Sequence, residues 1–226
     1  MTLHAATVAR RLGAIVVLLV VASTAVHVIT AITGHDTFYG LAALFELDNE
    51  NNIPTWYSSV LLLLSAVLLA LTAHAQPAAS PWTRYWWGLS LIFLLLSVDE
   101  AASLHEKFNR PVRELLDMGA SVHFAWVVPA SLMLLVLVMG YARWLFSLPP
   151  RSRNLALISA SLYVGGAVGF ELVGGLLTDR IAGGFGYLLV STVEETLEMC
   201  GAVVWIYTLI DLAAARGADL HVRFAP

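Results

Sequence analysis

Hydrophobic positions along this chain gather into six long runs, at roughly 12–33, 54–74, 85–106, 122–146, 155–178 and 186–213. A helix needs about 20 residues to cross a hydrocarbon layer of about 30 Å, and each run meets that length. Short polar breaks separate them. Gln76-Pro77-Ala78-Ala79-Ser80-Pro81 and Leu148-Pro149-Pro150-Arg151 read as simple turns. The pattern predicts an all-α, polytopic membrane bundle of six transmembrane helices, forming one domain over residues 1–226.

Composition agrees with the pattern. Of 226 residues, 59% are hydrophobic and 12% charged, with a mean hydropathy of +0.79. Soluble domains carry about 25% charged residues. Arg10 and Arg11 precede the first run, and Ala22-Ser23-Thr24-Ala25 loosely imitates a cleavage site. The run nevertheless continues to Ile32, past the 7–15 apolar residues of a signal peptide, so it reads as a retained helix. A lone cysteine, Cys200, excludes an internal disulfide and a cysteine-rich metal site. The net charge of −4 argues against nucleic acid as a partner.

Charge sets an orientation. If the six helices alternate in direction, Arg10, Arg11, Arg84, Arg143, Arg151, Arg153, Arg216 and Arg223 fall on the side of the termini. Lys107, Arg110, Arg113 and Arg180 fall on the other. The excess predicts both termini in the cytoplasm. The acids divide more sharply: of sixteen, only Asp211 and Asp219 belong to the terminal side.

Between the first two runs lies the longest connection, about twenty residues, whose apolar middle suits a short interfacial helix. Ile53-Pro54-Thr55-Trp56-Tyr57 opens the second run with proline in the first turn and aromatics at headgroup level. Asp48, Glu50 and Asn52 alternate like a calcium loop, but Ile53 stands where an EF-hand needs glycine. After the third run, Val112-Arg113-Glu114-Leu115-Leu116-Asp117 has the pattern of a helix lying on the membrane surface.

Within the runs, carboxylates are the anomaly. Glu194, Glu195 and Glu198 sit well inside the sixth, where one carboxylate at the centre of a membrane helix costs about 2.5–3.5 kcal/mol. Asp99, Glu100, His105 and Glu106 lie at the outer end of the third, Glu171 in the outer half of the fifth, and His27 and His123 at similar depths. These groups share one layer. On a continuous third helix Asp99, Ser103 and Glu106 would face one way, and His105 would point about 120–140° from either acid. On the sixth, Glu194 and Glu198 are one turn apart. Gly165 and Gly169 form a GxxxG pair that suits close helix packing near Glu171.

Carboxylates and imidazoles converging from several antiparallel helices are the ligand chemistry of carboxylate-bridged metal sites. The reading takes Asp99, Glu100, His105, Glu171, Glu194, Glu195 and Glu198 as ligands of one or two divalent ions: iron, manganese or zinc. Glu106 and His123 are the candidate acid, base or orienting groups. The Glu-x-x-His signature of di-iron bundles is missing, so neutral, hydrogen-bonded acids or ion pairs with the outer Lys and Arg residues remain alternatives. A haem between His27 and His123 would leave the carboxylates unexplained.

Through Pro54-Thr55-Trp56 and Ser97-x-Asp99-Glu100-x4-His105-Glu106, the first half of the chain resembles an uncharacterised family of bacterial multi-pass membrane proteins. That resemblance implies neither an activity nor a ligand. Three functions follow from the residues. The leading one is a metal-dependent membrane enzyme open to the outer leaflet, acting on a lipid or other apolar substrate by hydrolysis or oxidation. The second is a cation or proton transporter or channel using the same carboxylates. The third is an accessory subunit of a larger membrane complex.

Overall fold

The computed structural model describes residues 4–34, 40–118, 124–175 and 185–217. Among them there are eight helices and no strand: α1 (Ala5–Thr33), α2 (Leu41–Phe45), α3 (Ile53–His74), α4 (Thr83–Ala102), α5 (Leu104–Leu115), α6 (Val127–Ser147), α7 (Pro150–Gly175) and α8 (Phe185–Ala215). All but α2 and α5 are long and apolar enough to span a membrane. The six expected runs are present, and α2 stands where the interfacial helix was expected. His123 and Arg180 lie outside the described residues.

Local chemistry sets several helix ends. Asn52 caps α3 by accepting the Thr55 N–H at 3.0 Å, with Pro54 in the first turn where no partner for its missing N–H is needed. Gly34 ends α1 in the left-handed conformation, and Pro150 opens α7.

α8 is the axis of the bundle, packed against α1, α3 and α7. α3 and α4 form the closest pair, and their seam is polar. The Ser59 hydroxyl donates to the Ser97 carbonyl at 2.8 Å, Ser97 returns the bond to the Ser59 carbonyl at 2.9 Å, and Ser90 donates to the Ala66 carbonyl at 2.8 Å. Small hydroxylated side chains let two backbones approach and satisfy each other in a medium without water.

α7 meets α8 through glycines, but not the expected pair. Gly165 and Gly169 face open space, whereas a Cβ on Gly166 would lie 2.7 Å from the Glu194 carbonyl oxygen, and one on Gly201 would lie 2.7 Å from the Tyr163 nitrogen. The cause is a wide π-helical turn over Gly165–Phe170, which offsets the spacing on which the GxxxG reading relied.

The two ends of the bundle differ. Around the start of α4 and the ends of α3, α6 and α8, an apolar core holds Trp86, Trp144, Trp205, Leu69 and Leu209, with Trp86 against Trp144 edge-on at 4.9 Å. Arg151 pairs with Asp211 at 2.9 Å beyond it. The start of α1 and the end of α8 point toward this end, called the terminal end. The opposite end, carrying α2, α5 and the connection into α3, collects the acids and is called the acidic end below.

Candidate functional site

The third run does not continue as one helix. Ser103 adopts φ +51°, ψ +47°, the left-handed region that costs a residue with a side chain about 1–2 kcal/mol, and α5 leaves in a new direction. Two hydrogen bonds offset that strain. Asp99 reaches past the break to accept the His105 N–H at 2.8 Å, in the first turn of α5, where a carboxylate also suits the helix dipole. The Ser103 hydroxyl donates to Glu50 at 2.9 Å.

The break corrects the expected orientation of His105. Instead of pointing away from the acids, its Nδ1 lies 3.1 Å from Asp99 Oδ2 and its Nε2 lies 3.9 Å from Glu50 Oε1. Burial alone would lower the basicity of the imidazole. The hydrogen bond to Asp99 and the charges of Asp99, Glu50 and Glu171 outweigh it and raise His105 above the ordinary histidine value. Glu106, expected beside the site, is exposed on the far side of α5, although it stays near enough to Glu50 to repel it.

The connection into α3 supplies acids that the sequence reading left outside the site. Four alternate residues each reach a different part of the bundle. Glu46 lies 3.6 Å from His27 Nε2 on α1, an ion-pair distance too long for a hydrogen bond. Asp48 accepts from the Tyr187 hydroxyl at 3.1 Å and lies beside Ser191, both on α8. Glu50 takes Ser103 at the α4–α5 junction, and Asn52 caps α3. Between them Leu47 is buried in the core formed with Val16, Leu61 and Met199, and its N–H donates to Ser23 at 3.3 Å. Asp48 keeps an exposed edge, yet the protein around it strips enough water to raise its carboxyl above the ordinary value. Burial does the same to Glu50.

On the other side of the layer, Glu171 follows the π-helical turn of α7. It accepts the Trp126 indole N–H at 3.0 Å, and its carboxyl lies within electrostatic reach of Glu194. Glu195 is within electrostatic reach of Glu100, Glu50, Asp48 and Glu171, and Glu198 of Glu195, Glu100, Glu194 and Glu171. Glu100 lies beside Ser58 on α3. Among the described residues His105 lies beside Asp99 and Glu50, and His27 beside Glu46.

The described residues contain no group of three or more Asp, Glu, His or Cys side chains placed to hold a metal ion together. The acids meet in pairs and through hydroxyl or indole donors. His123, the second expected acid–base group, lies outside the described residues.

Sequence reasoning also missed Trp126, Tyr187 and Ser58. The signal for them was weak: a tryptophan or tyrosine near a helix end reads equally well as a membrane-interface anchor.

A family model for a domain of unknown function, DUF8692, matches residues 12–212, and the chain belongs to that family. No curated protein and no solved structure matches it.

Proposed function

We propose that this chain is a multi-pass membrane protein that binds cations at its acidic end and exchanges protons for them, working as a transporter. The observation that carries the reading is the crowding of carboxyls in one layer: Glu171, held by the Trp126 indole, lies within electrostatic reach of Glu194, and Glu195 and Glu198 lie within reach of both Glu171 and Glu100. Ionised carboxyls crowded in a medium of low polarity repel one another, and protons or a bound cation relieve that repulsion. Glu195, Glu198 and Glu100 add further acids to the same layer. A layer of this kind needs positive charge from elsewhere. Protons provide it at rest, and a hard divalent cation taking oxygen ligands provides it when the protons leave.

In the orientation that the arginines favour, the acidic end faces outward and the tryptophan core closes the inner half. Release on the inner side then requires rearrangement. The π-helical turn next to Glu171 and the glycine contacts at Gly166 and Gly201 give α7 a place to shift against α8.

Protein in liposomes loaded with a pH-sensitive dye tests this. Adding manganese or zinc outside should release protons and load the cation, and Glu171→Gln and Glu194→Gln should abolish both. Proton and metal movements no greater than those of empty liposomes would sink the proposal.

A metal-dependent reaction on a lipid or other apolar substrate is the second reading. His105 favours it, because a carboxylate on Nδ1 fixes the imidazole and leaves Nε2 directed toward Glu50. Its mark would be tightly bound iron, manganese or zinc that survives gel filtration and is lost in Glu198→Ala.

A further inference from the structure

α5 carries an inference that stands apart from the cation reading. It starts one residue after α4 ends, so its depth is tied to the place where that span leaves the hydrocarbon. At about 100° per residue its side chains sort into three faces.

One face turns to the bundle. His105 touches Asp99, and Asn109 accepts the Trp126 N–H at 3.2 Å. A second face is charged and exposed, with Glu106 and Lys107 beside the Arg110–Glu114 pair at 2.8 Å. The third is apolar and uncovered: Leu104 is 37% exposed, Phe108 58% and Leu115 83%. In water such a stripe would be costly. At the depth fixed by α4, the layer that covers it is the boundary between acyl chains and headgroups, where amphipathic helices lie with their apolar side down.

We propose that α5 is docked in the phospholipid bilayer through Leu104, Phe108 and Leu115, and that its opposite face transmits that docking to the acidic layer. His105 holds Asp99. Asn109 holds Trp126, whose indole N–H in turn holds Glu171. The membrane surface thereby positions acids on both α4 and α7.

Single cysteines in a Cys200→Ala background test the docking. Nitroxide labels are placed at Phe108→Cys and Leu115→Cys, and separately at Glu106→Cys and Arg110→Cys, with the protein in phosphatidylcholine liposomes. Positions 108 and 115 should collide mainly with dissolved oxygen, and positions 106 and 110 mainly with a water-soluble nickel chelate, a severalfold reversal. Equal nickel-chelate collision at all four positions overturns the docking.

The transmission has its own readout. Phe108→Asp combined with Leu115→Asp changes exposed side chains only, so the bundle should remain intact by gel filtration. The His105 ring resonances should shift and the Trp126 emission should change. Unchanged signals from both, in a variant that has left the lipid by the label assay, overturn the transmission.

Discussion

Replacing Gly166 with alanine should separate α7 from α8 where Glu194 and Glu198 emerge. The new Cβ would lie 2.7 Å from the Glu194 carbonyl oxygen and 2.7 Å from Glu198 Cγ, whereas ordinary contact begins at 3.4 Å. The shortfall, 3.4 minus 2.7, is 0.7 Å. Glu198 Cγ belongs to a flexible side chain and can swing away, but the carbonyl is part of the α8 backbone and cannot. The helices must part or tilt by most of that distance, and overpacking of this kind costs about 1–3 kcal/mol.

For a chain of this size 1 kcal/mol corresponds to about 2–4 °C in Tm, so the variant should melt several degrees lower in detergent. Gly165→Ala is the control. Its Cβ meets nothing within 4 Å, and alanine gains about 0.5–1 kcal/mol over glycine inside a helix, so its Tm should hold or rise. Gly201→Ala, 2.7 Å from the Tyr163 nitrogen, should fall with Gly166→Ala. Equal melting of the Gly165 and Gly166 variants would refute the placement of the π-helical turn and with it the packing of α7.

Asp99→Asn should bring the His105 titration midpoint down, read by NMR of the ring protons; an unmoved midpoint would discard the Asp99–His105 pairing. The sign follows from the raised value. The stability that protonated His105 contributes is complete below the ordinary imidazole pKa of about 6.5 and is lost as pH rises through the folded value. Asp48 and Glu50 are likewise raised, so the segment they anchor should be most stable below the ordinary carboxyl range and loosen as pH rises through their folded values. Hydrogen exchange over residues 46–52, corrected for the intrinsic rate, should quicken across that window, and a flat profile would contradict it. Trp126→Phe removes the indole donor to Glu171, leaves that acceptor without it, and should cost about 1–3 kcal/mol. A double-mutant cycle with Glu171→Gln should then show non-additivity, whereas strictly additive losses would mean that the two side chains do not interact.

The six spans were legible because hydropathy alone decides them: no other arrangement satisfies a backbone in hydrocarbon over runs of that length. The depth of the acids followed from counting residues. Their directions did not. Ser103 carries none of the glycine or asparagine chemistry that announces a left-handed residue, and the bonds that hold it there come from Asp99, four positions back, and from Glu50, in a distant part of the chain. The π-helical turn was hidden for a similar reason, since Gly165, Gly166 and Gly169 are equally good at close packing and only the neighbouring helix selects Gly166. Asp48 and Glu50 were visible as an imperfect calcium loop. That comparison drew attention away from their contacts with Tyr187 and Ser103.

The alternation of Glu46, Asp48, Glu50 and Asn52 makes the length of that crossing stricter than its wording. Each even-numbered position is addressed to a separate helix, so substituting one residue loosens one tether, while adding or deleting one shifts every later residue off its mark. Insertion scanning should therefore find this stretch intolerant of single-residue changes in length, and substitution of Asn51, whose φ of +60° suits asparagine or glycine, should be felt there as well.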